Sequence, residues 1–254
     1  MNALIIFAHP EPSSFNAHWA KVTAREFEVQ GMTILWSDLY KDEFDPVERG
    51  THFKYRADLQ RFDAQREQRH AYTTGSLPSD VATEIDKISK ADIVVFHFPL
   101  WWFGMPAILK GWMDRVFVYG GMYKSSRRYD RGMCRGKKAL FCVTAGASAQ
   151  ACSYRGYEGE TSLILWPAMY PLRYLGFTVL QPFIIHGVHG NREAAEQAAY
   201  QHFLNTQLEK YRQVLRAFKT APVIPYNCDA DFDETGCLKP EAPTYSPFIR
   251  QTKR

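Results

Sequence analysis

Several features that would sort a chain quickly are absent. No apolar run among the 254 residues approaches the roughly 20 that a membrane span needs. The opening "MNALIIFAHPEPSS" carries neither a basic leader nor a small-residue cleavage site. Together these absences predict a cytoplasmic protein with no membrane insertion. Cysteine is scarce and unpaired in pattern: Cys134, Cys142, Cys152, Cys228 and Cys237 make an odd set of 5 with no CxxC. That excludes a disulfide scaffold and predicts reduced, incidental thiols. No long basic block occurs, and a net charge of +4 over this length is too weak to hold a nucleic acid backbone, so no nucleic acid partner is expected. The first strand-to-helix loop has no GxGxxG, and the chain has no GxxxxGK[ST], so the usual phosphate-gripping loops are missing. His186 and His189 in "HGVHG" lack a third ligand at a set spacing, and no metal site is expected.

What is present reads as a globular chain, 46% hydrophobic and 23% charged, able to bury a real core. Short apolar runs recur between longer helical segments: "ALIIFAH" (3–9), "MTILWSDL" (32–39), "ADIVVFHF" (91–98), "KKALFCVTAG" (137–146) and "FTVLQPFIIHG" (177–187). Runs without polar alternation are what strands look like when helices cover both faces of a parallel sheet. The segment "SSFNAHWAKVTAREFEVQG" opens on Ser13 and Ser14 and stops at Gly31, a capped helix with a glycine terminator. Residues 40–80 are charged and turn-rich around a polar helical piece, and are expected to lie as an insertion over one edge. A last helix is predicted over 191–218. The pattern divides the chain into a domain over 1–219 and an irregular extension over 220–254, whose prolines and lack of period predict a segment that wraps a neighbouring surface or stays disordered.

In a doubly wound sheet the ligand site lies beyond the carboxyl ends of the strands. Three strand ends here carry unusual chemistry. After the first come His9, a proline-bearing turn and the hydroxyls and amides of "SSFN", at a helix start suited to a phosphate. After the third comes "FPLWWFGMPAILKGWMDRVF" (98–117), in which Pro99 ends the strand while Gly104 and Pro106 hold a tight turn. Taken alone, Trp101, Trp102 and Phe103 would be read as packing aromatics, but a loop this short cannot turn all of them into the core. After the fourth comes "VTAGAS" (143–148), whose small residues let a flat ring approach the backbone. An aromatic wall, backbone donors and a phosphate cradle fit a flavin better than a nicotinamide alone.

These segments resemble the flavodoxin-like NAD(P)H:quinone oxidoreductase family, the DT-diaphorase group. "FAHPEPSSFN" is similar to its first loop, "FPLWWFGMPAILKGWMDRVF" to its flavin-stacking loop and following helix, and "ILWPAMYPLRYLGFTVLQP" to its later helix and strand. The likeness runs from about residue 2 to 190. It implies an α/β, flavodoxin-like, doubly wound five-stranded parallel sheet in order 2-1-3-4-5 with a C-terminal extension, and a homodimer with flavin sites at the subunit interface. The length and tail are closer to the larger FAD-binding members than to the compact bacterial ones. By the same resemblance His9, Ser14, Phe15 and Asn16 hold the cofactor's diphosphate end. Pro99, Leu100, Trp101, Trp102 and Phe103 lie along its ring, and Thr144, Ala145, Gly146 and Ala147 form the ring-edge loop. Tyr123, with Phe103 and Gly146, lines the substrate pocket, the tyrosine reaching over the ring in the partner's site. The tyrosine and histidine that the family sets near the reduced ring's O2 fall on Cys152 and Glu158 in the simplest register. A carboxylate there opposes negative charge on the ring, which leaves Tyr154 as the alternative hydroxyl donor beside Glu158. The family's second lid tyrosine is Ser125, within the basic "KSSRR", a solvated loop or one that meets the phosphates of NADPH.

The activity implied is two-electron, ping-pong hydride transfer from NADPH or NADH through FAD to a quinone. Three other classes share parts of the pattern. Electron-carrier flavodoxins are usually short and acidic, and this chain is neither. An ancillary subunit of a potassium-efflux system would use the basic surface or tail for docking. An azo- or nitro-compound reductase would share nearly every residue named.

Overall fold

The computed structural model describes residues 1–190 and 193–251. Six strands form one parallel sheet: β1 (Asn2–Phe7), β2 (Thr33–Asp38), β3 (Ile93–Pro99), β4 (Lys138–Ala145), β5 (Thr178–Val179) and β6 (Phe183–His186). Their order is β2-β1-β3-β4-β5, with β6 pairing β4 beyond the end of β5. This is the expected 2-1-3-4-5 order with its fifth position split in two.

The split is a correction to the single strand predicted over 177–187. Ala139 faces Val179 and Cys142 faces Phe183, so the fifth position carries one residue more than β4 over the same stretch, which is a bulge. Pro182 sits in it without an N–H to give to the ladder. The Gln181 N–H turns outward and donates to the Pro222 carbonyl at 2.9 Å.

The helices are α1 (Phe15–Val29), α2 (Ala64–Thr73), α3 (Ser79–Lys90), α4 (Ala107–Val116), α5 (Thr161–Ile164), α6 (Trp166–Tyr174) and α7 (Gln197–Arg216). Successive strand residues serve opposite faces. Ile93 and Val95 join Trp19, Phe27, Leu208 and Tyr211 of α1 and α7, whereas Val94, Phe96 and Phe98 join Val81, Leu109, Trp112 and Leu172 of α3, α4 and α6. Two buried faces explain the unbroken apolar runs, each fully buried side chain contributing about 1.5–3 kcal/mol. The last helix begins later than the predicted 191, and residues 191–192 lie outside the described set.

The 40–80 segment contains α2, is braced within itself by one buried ion pair and is tied to α4 by another. Glu67 is fully buried and accepts from the Ala57 N–H (2.7 Å) and Asp58 N–H (3.2 Å), with Arg56 at 3.0 Å. Arg115 of α4 reaches Asp80 at 2.6 Å and the Asp45 carbonyl at 2.8 Å. The segment after α7 wraps rather than dangles. Its Ile224 N–H donates to the Val179 carbonyl at 2.9 Å, covering the exposed edge of β5. Farther along, Phe248 stacks on Trp166 with ring centroids 5.0 Å apart.

Candidate active site

The carboxyl ends of β1, β3 and β4 meet where the sequence places its unusual loops. The first loop continues the ladder through the Ala8 N–H, which donates to the His97 carbonyl at 2.9 Å. His9 then folds back, its Nδ1 accepting from the Glu11 N–H at 3.0 Å. Partial burial lowers the His9 pKa, so the ring is neutral near pH 7. Ser14 caps α1 by accepting from the Ala17 N–H at 3.2 Å. In the same first turn, Asn16 Nδ2 donates to Thr144 Oγ1 at 2.8 Å, both residues being buried. The same Asn16 has a buried Oδ1 with no protein partner among the described residues.

The aromatic turn after β3 is held by three backbone bonds. The Leu100 N–H donates to the Thr144 carbonyl at 2.7 Å, and Trp101 and Gly104 exchange two bonds of 3.0 Å each. The tip residues Trp102 and Phe103 both adopt left-handed φ, +48° and +58°. L-residues pay about 1–2 kcal/mol each for that conformation, and their side chains recover little by packing: Trp102 is 97% and Phe103 56% exposed. Two strained aromatics displayed to solvent mark a surface built for something other than core stability. Trp101 leans the other way, its ring 5.9 Å from His9.

Across from this turn, Ala145, Gly146 and Ala147 form a floor tied to the chain after β6, where Gly187 and Val188 donate to the carbonyls of Ala147 (2.9 Å) and Ala145 (3.0 Å). The loop beyond is coiled on itself: the Cys152 N–H donates to the Ser148 carbonyl at 3.0 Å and the Glu158 N–H to the Ala151 carbonyl at 3.0 Å. That coil brings Cys152 and Glu158 to one wall of a cleft of about 170 Å³, with Leu100, Trp102, Phe103, Ala145, Gly146, Ala147 and Ile164 forming the rest. Burial raises the Cys152 pKa and keeps the thiol protonated. Tyr154 is 76% exposed and does not line this cleft. Pro99 is the buried last residue of β3, and Phe15 lies half-buried against Trp19 at 6.0 Å. Tyr123 stands apart from the cleft, its hydroxyl accepting from Gln65 Nε2 of α2 at 3.3 Å and its ring 5.4 Å from both Tyr119 and Tyr174.

A larger cavity of about 720 Å³ adjoins the cleft through the 148–150 loop, walled by His186, Gly187, Tyr200, Phe203 and Gln207. Sequence reasoning named none of its α7 residues. Their only sequence signal is an aromatic pair three apart, Tyr200 and Phe203, whose rings stack 6.3 Å apart at 18°. Among the described residues no group of three or more His, Cys, Asp or Glu is placed to share a metal ion.

A 2-1-3-4-5 parallel sheet with an aromatic-walled cleft at its carboxyl ends defines a flavodoxin-like protein. Residues 1–209 match the sequence profile of a family described as flavodoxin-like fold. A ribosyldihydronicotinamide dehydrogenase-like protein of Penicillium crustosum is 44% identical over 199 residues, covering 74% of this chain and 74% of its own. The human ribosyldihydronicotinamide dehydrogenase [quinone] is 41% identical over 185 residues, covering 71% and 79%, and the guinea pig NAD(P)H dehydrogenase [quinone] 1 is 39% identical over 188, covering 73% and 68%. Among solved structures, a Klebsiella pneumoniae protein assigned as a quinone reductase superposes with a TM-score of 0.85 at 31% identity over 95% of both chains. The chain belongs to this flavodoxin-like family of quinone dehydrogenases.

Proposed function

We propose that the protein is an FAD-dependent NAD(P)H:quinone oxidoreductase whose ring site is the cleft between the Trp101–Gly104 turn and the Ala145–Ala147 floor. The observation that carries this reading is the strained, exposed Trp102–Phe103 pair facing a backbone floor without bulky side chains. The cleft also fits the group in its polar chemistry. Asn16 Oδ1 is a buried acceptor with no protein donor, and the N–H groups of Trp102, Phe103, Gly146 and Ala147 donate to no protein acceptor among the described residues.

When bound, the flavin supplies a ring that takes a hydride from NAD(P)H and yields it to a quinone. The chain's own part is positional. Trp102 and Phe103 present flat apolar faces that orient stacked rings and exclude water. The free N–H groups of Gly146 and Ala147 supply fixed dipoles where negative charge grows. Glu158 or, after movement of its loop, Tyr154 is the polar group assigned to the ring's oxygen edge. His9, Ser14, Phe15 and Asn16 are assigned to the diphosphate end. The cavity walled by Tyr200 and Phe203 has room for an adenosine half, which favours FAD over FMN. Tyr123, turned away from the cleft of its own chain, is assigned to the substrate pocket of a second copy in a cytoplasmic homodimer. Residues 1–219 form the catalytic domain in this reading and 220–254 its bracing extension.

Heat release of bound cofactor from the purified protein, followed by anaerobic addition of NADPH and then a quinone, tests the reading. Released FAD with bleaching by NADPH and recolouring by quinone is the expected result, and initial rates should give the parallel double-reciprocal lines of a ping-pong scheme. A protein that retains neither FAD nor FMN when supplied with both would overturn it.

A further inference from the structure

The segment that carries Tyr123 closes a separate cavity, of about 610 Å³, against α2. That volume lies in the range of small-ligand sites, roughly 300–1,000 Å³. Gln65 and Arg69 are four residues apart and so share one face of α2. Gln65 donates to the Tyr123 hydroxyl, while Arg69 and Thr73 line the cavity. The face from Gln65 to Thr73 runs about 12 Å along the helix. Opposite it stand Tyr119, whose ring contacts Tyr123, and the hairpin turn Lys124–Ser125–Ser126–Arg127, closed by the Arg127 N–H on the Lys124 carbonyl at 2.8 Å.

The charges are arranged for an anion. Arg127 is occupied with Met133 Sδ at 3.1 Å, and Arg128 lies over the rings of Tyr129 and Tyr174. Arg69 and Lys124, by contrast, share the cavity lining with no carboxylate. Glu67, the nearest acid on the helix, is fully buried and paired with Arg56. The Arg69 stem is held in place by close approach to Gly120: a Cβ at that glycine, whose φ is +94°, would lie 3.3 Å from Arg69 Cγ. The hydroxyls of Ser125 and Ser126 take no protein partner among the described residues and sit at the cavity rim. Tyr72, 43% exposed, offers an aromatic face beside them. A planar guanidinium, an ammonium, two hydroxyls and a free aromatic face match a phosphate monoester attached to a nucleoside.

We propose that this cavity receives the 2′-phosphorylated adenosine end of NADPH, with Arg69 and Lys124 as the residues that set the preference for NADPH over NADH. The proposal rests on the quinone oxidoreductase reading for its nucleotide. Tyr123 marks where the nicotinamide end lies, and the α2 face leads from it to the cations. Nothing in the first loop or the cleft offers a comparable pair of cations.

The test titrates 2′,5′-ADP and 5′-ADP separately into the flavin-loaded protein, in which the cofactor's own adenosine site is filled. Wild type should bind 2′,5′-ADP about 10-fold more tightly. Arg69→Gln and Lys124→Gln should each remove most of that margin. The KM for NADPH should rise about 10-fold in both variants, with kcat and the KM for NADH held. Equal binding of the two nucleotides to wild type would overturn the proposal. So would variants that lose NADPH and NADH together, because that pattern belongs to a pyrophosphate contact or a disturbed helix. If wild type oxidised neither dinucleotide, the oxidoreductase reading would fail, while the 2′,5′-ADP margin would still decide whether the cavity is a phosphate site.

Discussion

Trp102 and Phe103 hold two consecutive left-handed φ values at the tip of a turn closed by Trp101 and Gly104. Glycine at 102 would relieve the strain but would also loosen the unfolded chain, two effects of about 1 kcal/mol and opposite sign. With the indole almost wholly exposed, no packing is lost. Trp102→Gly should therefore leave the melting stability of the flavin-free protein within about 1 kcal/mol of wild type, while flavin retention through gel filtration falls. A large stability loss in the flavin-free protein would instead make Trp102 a packing residue. Asn16 offers a second case. Its amide joins the loop after β1 to Thr144 at the end of β4, a bond across 128 residues of sequence. Asn16→Ala removes that bond and the buried acceptor proposed for the cofactor, so flavin should bind about 10-fold more weakly. Equal flavin Kd values for the two proteins would remove Asn16 from the site. The aromatic turn was legible because a loop so short cannot turn two tryptophans and a phenylalanine into the core, although each taken alone reads as a packing residue. The Asn16–Thr144 tie was not, since neither residue type is unusual and only the sheet order brings them together.

At the scale of elements, periodicity located the strands well because burial on both faces leaves a continuous apolar run. It failed at the fifth position, where β5 and β6 are both mostly apolar and the short Leu180–Pro182 bulge between them changes register within one apolar-looking run. Only Pro182 hinted at it. The extension after α7 was legible as irregular but not as an edge cover, because its Pro222 carbonyl and Ile224 N–H pair through backbone alone. The coil that carries Cys152 and Glu158 to the cleft was equally hidden, and it depends on Gly156. A Cβ there would lie 2.0 Å from the Ala151 carbonyl oxygen, which is the acceptor for the Glu158 N–H. Gly156→Ala must push the coil apart, at a cost of about 1–3 kcal/mol, and move Glu158 away from the cleft. Flavin affinity and quinone turnover should both fall while the far-ultraviolet circular dichroism of the sheet and long helices is kept. Unchanged turnover would show that the coil's closed form is not the working one.

At the scale of the whole molecule, a buried polar cluster ties two helices to two strands on one face of the sheet. His97 of β3 and Tyr211 of α7 both reach the Thr23 hydroxyl of α1, at 2.9 and 2.8 Å, and Cys142 of β4 donates its thiol to the Tyr211 hydroxyl at 3.2 Å. His97 is fully buried, and desolvation pushes its pKa down to about 3, so the folded protein keeps it neutral. The unfolded chain protonates the same ring near the ordinary histidine value of about 6.5. Below that pH the unfolded state binds a proton that the folded state refuses, and stability must fall as pH drops from about 6.5 toward about 3. The slope is about 1.4 kcal/mol per pH unit. Other histidines with lowered pKa values, His9, His18 and His186, add to the acid sensitivity of wild type, but they are shared by a His97→Gln variant and cancel in the comparison. Between pH 7 and pH 5, urea unfolding should show wild type losing about 2 kcal/mol more than His97→Gln, whatever the variant's stability at pH 7. Parallel losses in the two proteins would mean that His97 takes up its proton in the folded state, and that the cluster joining α1, β3, β4 and α7 opens in mild acid before the chain unfolds.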